Sequence, residues 1–214
     1  MQKPGKIVIA SQHYPPDHST TAAIMSAIAG HLAMDAPVLV LSGTPGSKHE
    51  PVSSGEPTIV EIKNRLPGKR ALIRRAIAEI LFVLRTFLAL LMKLQRGDVA
   101  LTVTAPFTLP YAVVAAAKLK RARSALIMHD LFPDVLVMAG LLKPKSIVAH
   151  AIRAANVLMF RALDAVVTIG RDTEQLRQEQ PVVAVDGIRL HRHLAPELVD
   201  ALDAPRRDGC GRPF

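Results

Sequence analysis

His129 and Asp130 follow directly on the apolar run Ala125 to Met128, at the expected carboxyl end of a strand. A carboxylate beside an imidazole can hold the ring in one tautomer or act on a substrate hydroxyl. A neutral His129 can donate one hydrogen bond and accept another. The plainer alternative is a strand-end histidine that caps a loop carbonyl, and the residues alone leave both open. Asp134 follows Phe132-Pro133 and opens an apolar helix, where capping of backbone amides is its default role. Asp17 and Ser19 likewise precede a helix expected to begin near Thr20, and both can satisfy open amides there. The functional alternative is that these amides, with the positive end of the helix, receive an anionic or hydroxyl-rich ligand.

Other chemistries lack their residues. The first apolar run is followed by SQHYPPDHSTTAA, not by the glycine-rich dinucleotide fingerprint. Gly43 to Lys48 reads GTPGSK, which misses both the gap and the ending of a phosphate-binding loop and is read as a turn. No serine sits in a nucleophile elbow. His191 and His193 have only Cys210 for company in an irregular basic segment, so no metal is assigned.

These residues need elements to hold them. Lys6 to Ala10, Val38 to Leu41, Ile59 to Ile62, Val99 to Val103, Ala125 to Met128 and Ala165 to Ile169 are short β-branched or aliphatic runs that read as buried strands. Helical patterns lie between most of them, over about Ser19 to Met34, Leu72 to Gln95, Phe107 to Lys120, Pro144 to Leu163 and Asp172 to Gln178. The alternation predicts an α/β fold, a Rossmann-like parallel sheet with helices on both faces. In such sheets ligands bind beyond the carboxyl ends of the strands, which directs attention to Gln12 to Thr21, Thr104 to Thr108 and His129 to Asp134. Residues 1–180 are read as this single lobe and 181–214 as an irregular, poorly ordered tail, with one further strand conceivable at Pro181 to Asp186.

At 214 residues the chain has room for one sizeable domain, which can bury roughly 70% of its extended surface. The formal net charge of +9 favours anionic partners. Aromatic residues make up only 4%, with no Trp, so bases would find few stacking platforms and nucleic acid is not the expected anion. A single cysteine cannot form an internal disulfide, and the absence of a secretory pattern near Met1 fits the cytoplasm. Val99 to Ala117 is uncharged over a bilayer-spanning length, but Pro106, Pro110 and its threonines argue for a strand, a turn and a helix.

The helix over Arg70 to Arg96 has two characters. At 100° per residue, Ile73, Ile77, Ile80, Leu84, Phe87 and Leu91 make one stripe, while Arg70, Arg74, Arg75, Arg85, Lys93 and Arg96 fall in a sector of about 140° elsewhere. Either the stripe packs on the sheet with the basic face solvated, or the helix contacts an anionic membrane surface. Lys118, Lys120, Arg121 and Arg123 close the following helix, where cations suit its negative end.

Three segments, KIVIASQHYPPD, the stretch from GDVALTVTAPF through IMHDLFPDVL, and LDAVVTIGRDTEQL, together resemble the amino-terminal lobe of family 4 glycosyltransferases of the GT-B fold. The nearest branch is the colanic-acid type that builds exopolysaccharide and O-antigen. The resemblance covers about Lys6 to Gln178. It implies retaining transfer from a nucleotide-sugar donor to a sugar or lipid-linked acceptor, at the inner face of the cell membrane. By position, His129 matches the residue facing the reacting sugar and Asp130 its neighbour. Asp17, His18, Ser19, Thr20 and Thr21 match the acceptor loop, with Pro106 and Asp134 on neighbouring loops. His18 to Thr21 stands where many relatives carry a glycine-rich turn. Nothing after Gln178 resembles the family's donor-binding lobe, so the resemblance implies a truncated or short form that needs a separate donor lobe, takes no cofactor and is silent alone. The competing expectation is a non-catalytic, membrane-peripheral binding module built on the same lobe.

Overall fold

The computed structural model describes residues 5–64, 72–128, 130 and 132–168, without the side chains of Leu72, Ile73 and Thr168. Its elements run β1 (Ile7–Ser11), α1 (Thr20–Ala33), β2 (Val38–Ser42), β3 (Thr58–Glu61), α2 (Leu72–Lys93), β4 (Val99–Val103), α3 (Leu109–Lys120), β5 (Arg123–Met128), α4 (Asp134–Met138), α5 (Ile147–Ala162) and β6 (Ala165–Thr168). The six strands form one sheet in the order β3-β2-β1-β4-β5-β6, and every neighbouring pair is parallel. The order reverses direction between β1 and β4, which makes that junction the topological switch point.

Strand alternation divides the core into two layers. Val8 and Ala10 of β1, Leu41 of β2 and Ala100 of β4 face one side, where Phe82, Leu90 and Leu94 from α2 and its end meet Leu109, Val113 and Ala117 of α3. Ile9, Val40, Leu101 and Ile127 face the other, where Met25, Ala29 and Leu32 of α1 cover them. Fully burying each of the large aliphatic side chains contributes about 1.5–3 kcal/mol. Helix α5 extends the first layer, with Met159 packed near Val114 and Leu126. The expected α/β lobe is thus the fold of the described residues.

The uncharged stretch Val99 to Ala117 is divided, as expected, between β4 and α3. Helix α3 starts at Leu109, two residues later than the sequence reading, because the Pro106 carbonyl accepts from the Leu109 amide and closes a turn first. It ends at Arg121, whose left-handed backbone (φ 55°) stops it. Of the basic cluster there, Lys118 reaches Asp164 at 3.5 Å, and Arg123 already belongs to β5. No helix of the described residues is long and apolar enough to cross a membrane.

Of the two readings of the α2 stripe, packing on the sheet holds only at its margin. The face that α2 lays on the sheet is Phe82, Thr86, Ala89 and Leu90, with Val83, Phe87 and Leu91 at its margin. Ile77, Ile80 and Leu84, the middle of the stripe, are 53%, 62% and 52% exposed. The buried face sets the large Phe82 and Leu90 beside the small Thr86 and Ala89, so large and small side chains are mixed along the contact. Arg74, Arg85, Lys93 and Arg96 are exposed and Arg75 is half-buried. Arg70, the expected helix over Asp172 to Gln178, the further strand and the tail over 181–214 lie outside the described residues.

Candidate functional site

The loops that follow β1, β4 and β5 meet at the carboxyl edge of the sheet, around the switch point. The first is built most tightly. Ser11, fully buried at the end of β1, donates from Oγ to the His13 carbonyl at 2.8 Å. Thr44, just beyond β2, donates from Oγ1 to the Gln12 carbonyl at 3.2 Å and accepts from the Tyr14 amide at 3.0 Å. The Gly43 amide donates to the Ser11 carbonyl at 3.0 Å and carries the strand pairing one step past the sheet. An added Cβ at Gly43 would fall 2.7 Å from a ring carbon of Phe82 and 2.9 Å from the Gln12 carbonyl oxygen, so only glycine admits this approach.

Asp17 is the hub of the loop. Oδ2 meets His13 Nδ1 at 2.6 Å, and Oδ1 accepts from the Ser19 amide at 3.0 Å. Burial alone raises the Asp17 pKa, but the hydrogen bonds from His13 and Ser19 outweigh it and hold the carboxyl below its ordinary range. Ser19 is the N-cap of α1, and its Oγ accepts from the Ala22 amide at 3.3 Å. The capping expected of Asp17 and Ser19 is therefore present. His18 and Thr20 are exposed, and Thr21 is half-buried in the first turn of α1.

The loops after β4 and β5 are fastened to each other. The Asp130 amide donates to Thr104 Oγ1 at 3.2 Å, and Phe107 stacks on Phe132 with ring centroids 5.2 Å apart. Asp130 itself is exposed, whereas Pro106 is buried and can offer a ligand only the shape of its turn. Asn156 of α5 donates to the Phe132 carbonyl and accepts from the Tyr111 hydroxyl, which ties α3, α5 and this loop together. His129 lies outside the described residues.

Asp134 does not cap its helix. Pro133 is the N-cap of α4, and Asp134, in the first turn, accepts from Arg153 Nη2 at 3.0 Å while Nη1 of the same guanidinium donates to the Pro144 carbonyl at 2.9 Å. A charged partner on α5 offers more than an open amide of a one-turn helix. Conversely, reading residues singly passed over His13 and Gln12. The spacing of His13 and Asp17 (four residues apart in a loop) was the available signal. Gln12 is buried, and its Nε2 has no hydrogen-bond partner among the described residues.

The arrangement is that of a Rossmann-like lobe whose open edge presents carboxylates and hydroxyls rather than a glycine-rich phosphate cradle. Among curated proteins, the chain is similar to a probable glycosyltransferase, WbjE, of Pseudomonas aeruginosa, with 33% identity over 113 residues. That match takes in 53% of this chain and 28% of the relative's length, so the chain corresponds to a minor part of that protein. No family model matches the sequence. The chain is thus similar, over about half its length, to a probable glycosyltransferase.

Proposed function

We propose that this chain is the acceptor-holding, amino-terminal lobe of a retaining glycosyltransferase of family 4 that takes sugar from a nucleotide-sugar donor and serves bacterial surface polysaccharide synthesis. The observation that carries the reading is the 33% identity with a probable glycosyltransferase, on a chain whose switch point offers an open, hydroxyl-compatible edge. Asp17, kept ionised by His13 and the Ser19 amide, accepts from acceptor hydroxyls. His18, Ser19, Thr20 and Thr21 surround the same loop, and Pro106 shapes the neighbouring turn. His129 and Asp130 are assigned to the reacting sugar from their place directly after β5. Asp134 acts by fixing the α4 segment to Arg153 rather than by touching the acceptor.

Sugar transfer also needs groups that neutralise the charge gathering on the departing nucleotide diphosphate, the kind of electrostatic help that is usually the largest catalytic term. No lysine or arginine falls in the loops that follow β1, β4 and β5 (12–19, 104–108 and 129–133), so the chain alone is expected to bind no nucleotide sugar saturably and to transfer none. Calorimetry with uridine and guanosine diphosphate sugars tests this, and donor binding at micromolar affinity would refute it. Covalent fusion to a carboxyl-terminal portion of WbjE should restore transfer. In that fusion His129→Ala should lower turnover with little change in thermal stability. A fusion that binds donor yet shows the same turnover with and without His129 removes the catalytic assignment.

A further inference from the structure

The backbone of the loop that follows β1 is fixed without help from the His13 imidazole. Ser11 Oγ donates to the His13 carbonyl, Thr44 Oγ1 bonds the Gln12 carbonyl and the Tyr14 amide on either side, and the Asp17 amide donates to the Tyr14 carbonyl at 3.0 Å. Asp17 Oδ1 holds the Ser19 amide, and Ser19 caps α1. What remains is the ring itself, whose Nδ1 stands 2.6 Å from Asp17 Oδ2 and whose side chain is 31% exposed.

An ionised carboxylate offers acceptors only, so this contact places a ring proton on Nδ1. While the ring is neutral, Nε2 therefore carries a lone pair and no proton. That nitrogen has no hydrogen-bond partner among the described residues and is not buried. A base whose second nitrogen is held by a carboxylate, on a main chain pinned from both sides, is equipped to take a proton from a hydroxyl at the switch point. The titratable groups around it are Asp17, buried Tyr14 and exposed His18 on its own loop, with His129 and Asp130 directly after β5. Residues 20–30 of α1, 43–47 after β2 and 104–108 after β4 contain none.

We propose that His13 is the general base of the transfer, taking the proton of the attacking acceptor hydroxyl on Nε2 while Asp17 holds the ring. The proposal rests on the glycosyltransferase reading and adds a catalytic residue to it. As the acceptor oxygen bonds to the anomeric carbon, the bond from that carbon to the nucleotide diphosphate breaks and its electron pair leaves with the diphosphate. The hydroxyl proton passes to His13, and the resulting imidazolium, paired with Asp17, returns it to water. Asp17 stays charged across the range in which an imidazole ordinarily titrates, so the pair keeps its orientation there. The rate should fall in acid, where His13 is already protonated before the acceptor arrives.

In the fused two-lobe enzyme, His13→Gln should lower kcat by about 100-fold or more, with little change in the acceptor KM or in thermal stability, and should remove the acid limb of the pH profile of kcat/KM. Free imidazole should restore part of the rate to His13→Ala. An active fusion in which His13→Gln keeps the parental rate, or loses rate only in step with stability and gains nothing from imidazole, would overturn the proposal. A fusion that transfers nothing with His13 intact counts against the glycosyltransferase reading instead, and the pair is then decided on the full chain alone. There, nitrogen NMR of the imidazole should find neutral His13 protonated at Nδ1, and protonated at Nε2 in Asp17→Asn. A proton on Nε2 in the native chain overturns the proposal whatever the fusion does.

Discussion

Thr44 offers the sharpest test of how the loop after β1 is held. Its hydroxyl reaches across from the end of β2 to bond both the Tyr14 amide and the Gln12 carbonyl, and the site is buried. Thr44→Val keeps the shape and removes both bonds. The stranded Tyr14 amide should cost about 1–3 kcal/mol, and the Gln12 carbonyl about 1 more, for a total of about 2–4 kcal/mol. Thr44→Ser keeps both bonds and loses only a methyl group, worth about 0.8 kcal/mol. In urea, followed by circular dichroism, the valine variant should lose roughly 1–2 M of its midpoint and the serine variant a fraction of that. Hydrogen exchange adds a local reading, because the Tyr14 amide should exchange faster in the valine variant relative to the core strands, and not in the serine variant. Equal midpoint losses for the two, or an unchanged Tyr14 exchange rate, would show that the hydroxyl does not hold the loop.

Two further outcomes follow from the same loop. The Asp17 carboxyl has a lower pKa in the folded chain than in the unfolded one, so its contribution is fully present above the ordinary carboxyl range and is lost as pH falls through the depressed native value. The stability difference between the native chain and Asp17→Asn should therefore be constant near neutrality and shrink in acid, and a difference that grows on acidification would contradict the assigned hydrogen bonds. Gly43→Ala should destabilise by about 1–3 kcal/mol in thermal or urea melts, since the new methyl group meets both Phe82 and the Gln12 carbonyl. A neutral substitution would mean that the β2 exit has room to move away.

The sequence was legible wherever one residue's neighbours along the chain decide its state. β4 was read to the residue because a β-branched run stops at a threonine and a proline, and α1 because Asp17 and Ser19 announce a helix start. What was not legible lies in contacts between distant residues. Thr44 meets Tyr14 across 30 positions, and Asp134 leaves its expected cap for an arginine 19 positions on. The face of α2 was left open for a different reason. Periodicity locates an apolar arc, but on a helix apolar around most of its girth it cannot tell which part of the arc the sheet selects. Here the sheet took the part containing Phe82, Thr86, Ala89 and Leu90 and left the isoleucines outside.

That choice has a geometric consequence. All strands of a parallel sheet end at one edge, so the loops bearing Asp17, Lys63 and Asp130 share it. Helix α2 leaves that edge after β3 and returns to the opposite one before β4, which places its amino-terminal half, with Arg74, Ile77 and Ile80, nearest the crevice. It packs on Val8, Ala10, Leu41 and Ala100, whereas α1 packs on Ile9, Val40 and Leu101, so the two helices lie on opposite faces of the sheet and only their ends share the carboxyl edge. The crevice is therefore walled on one face by the helix that Asp17 and Ser19 open and on the other by the start of α2.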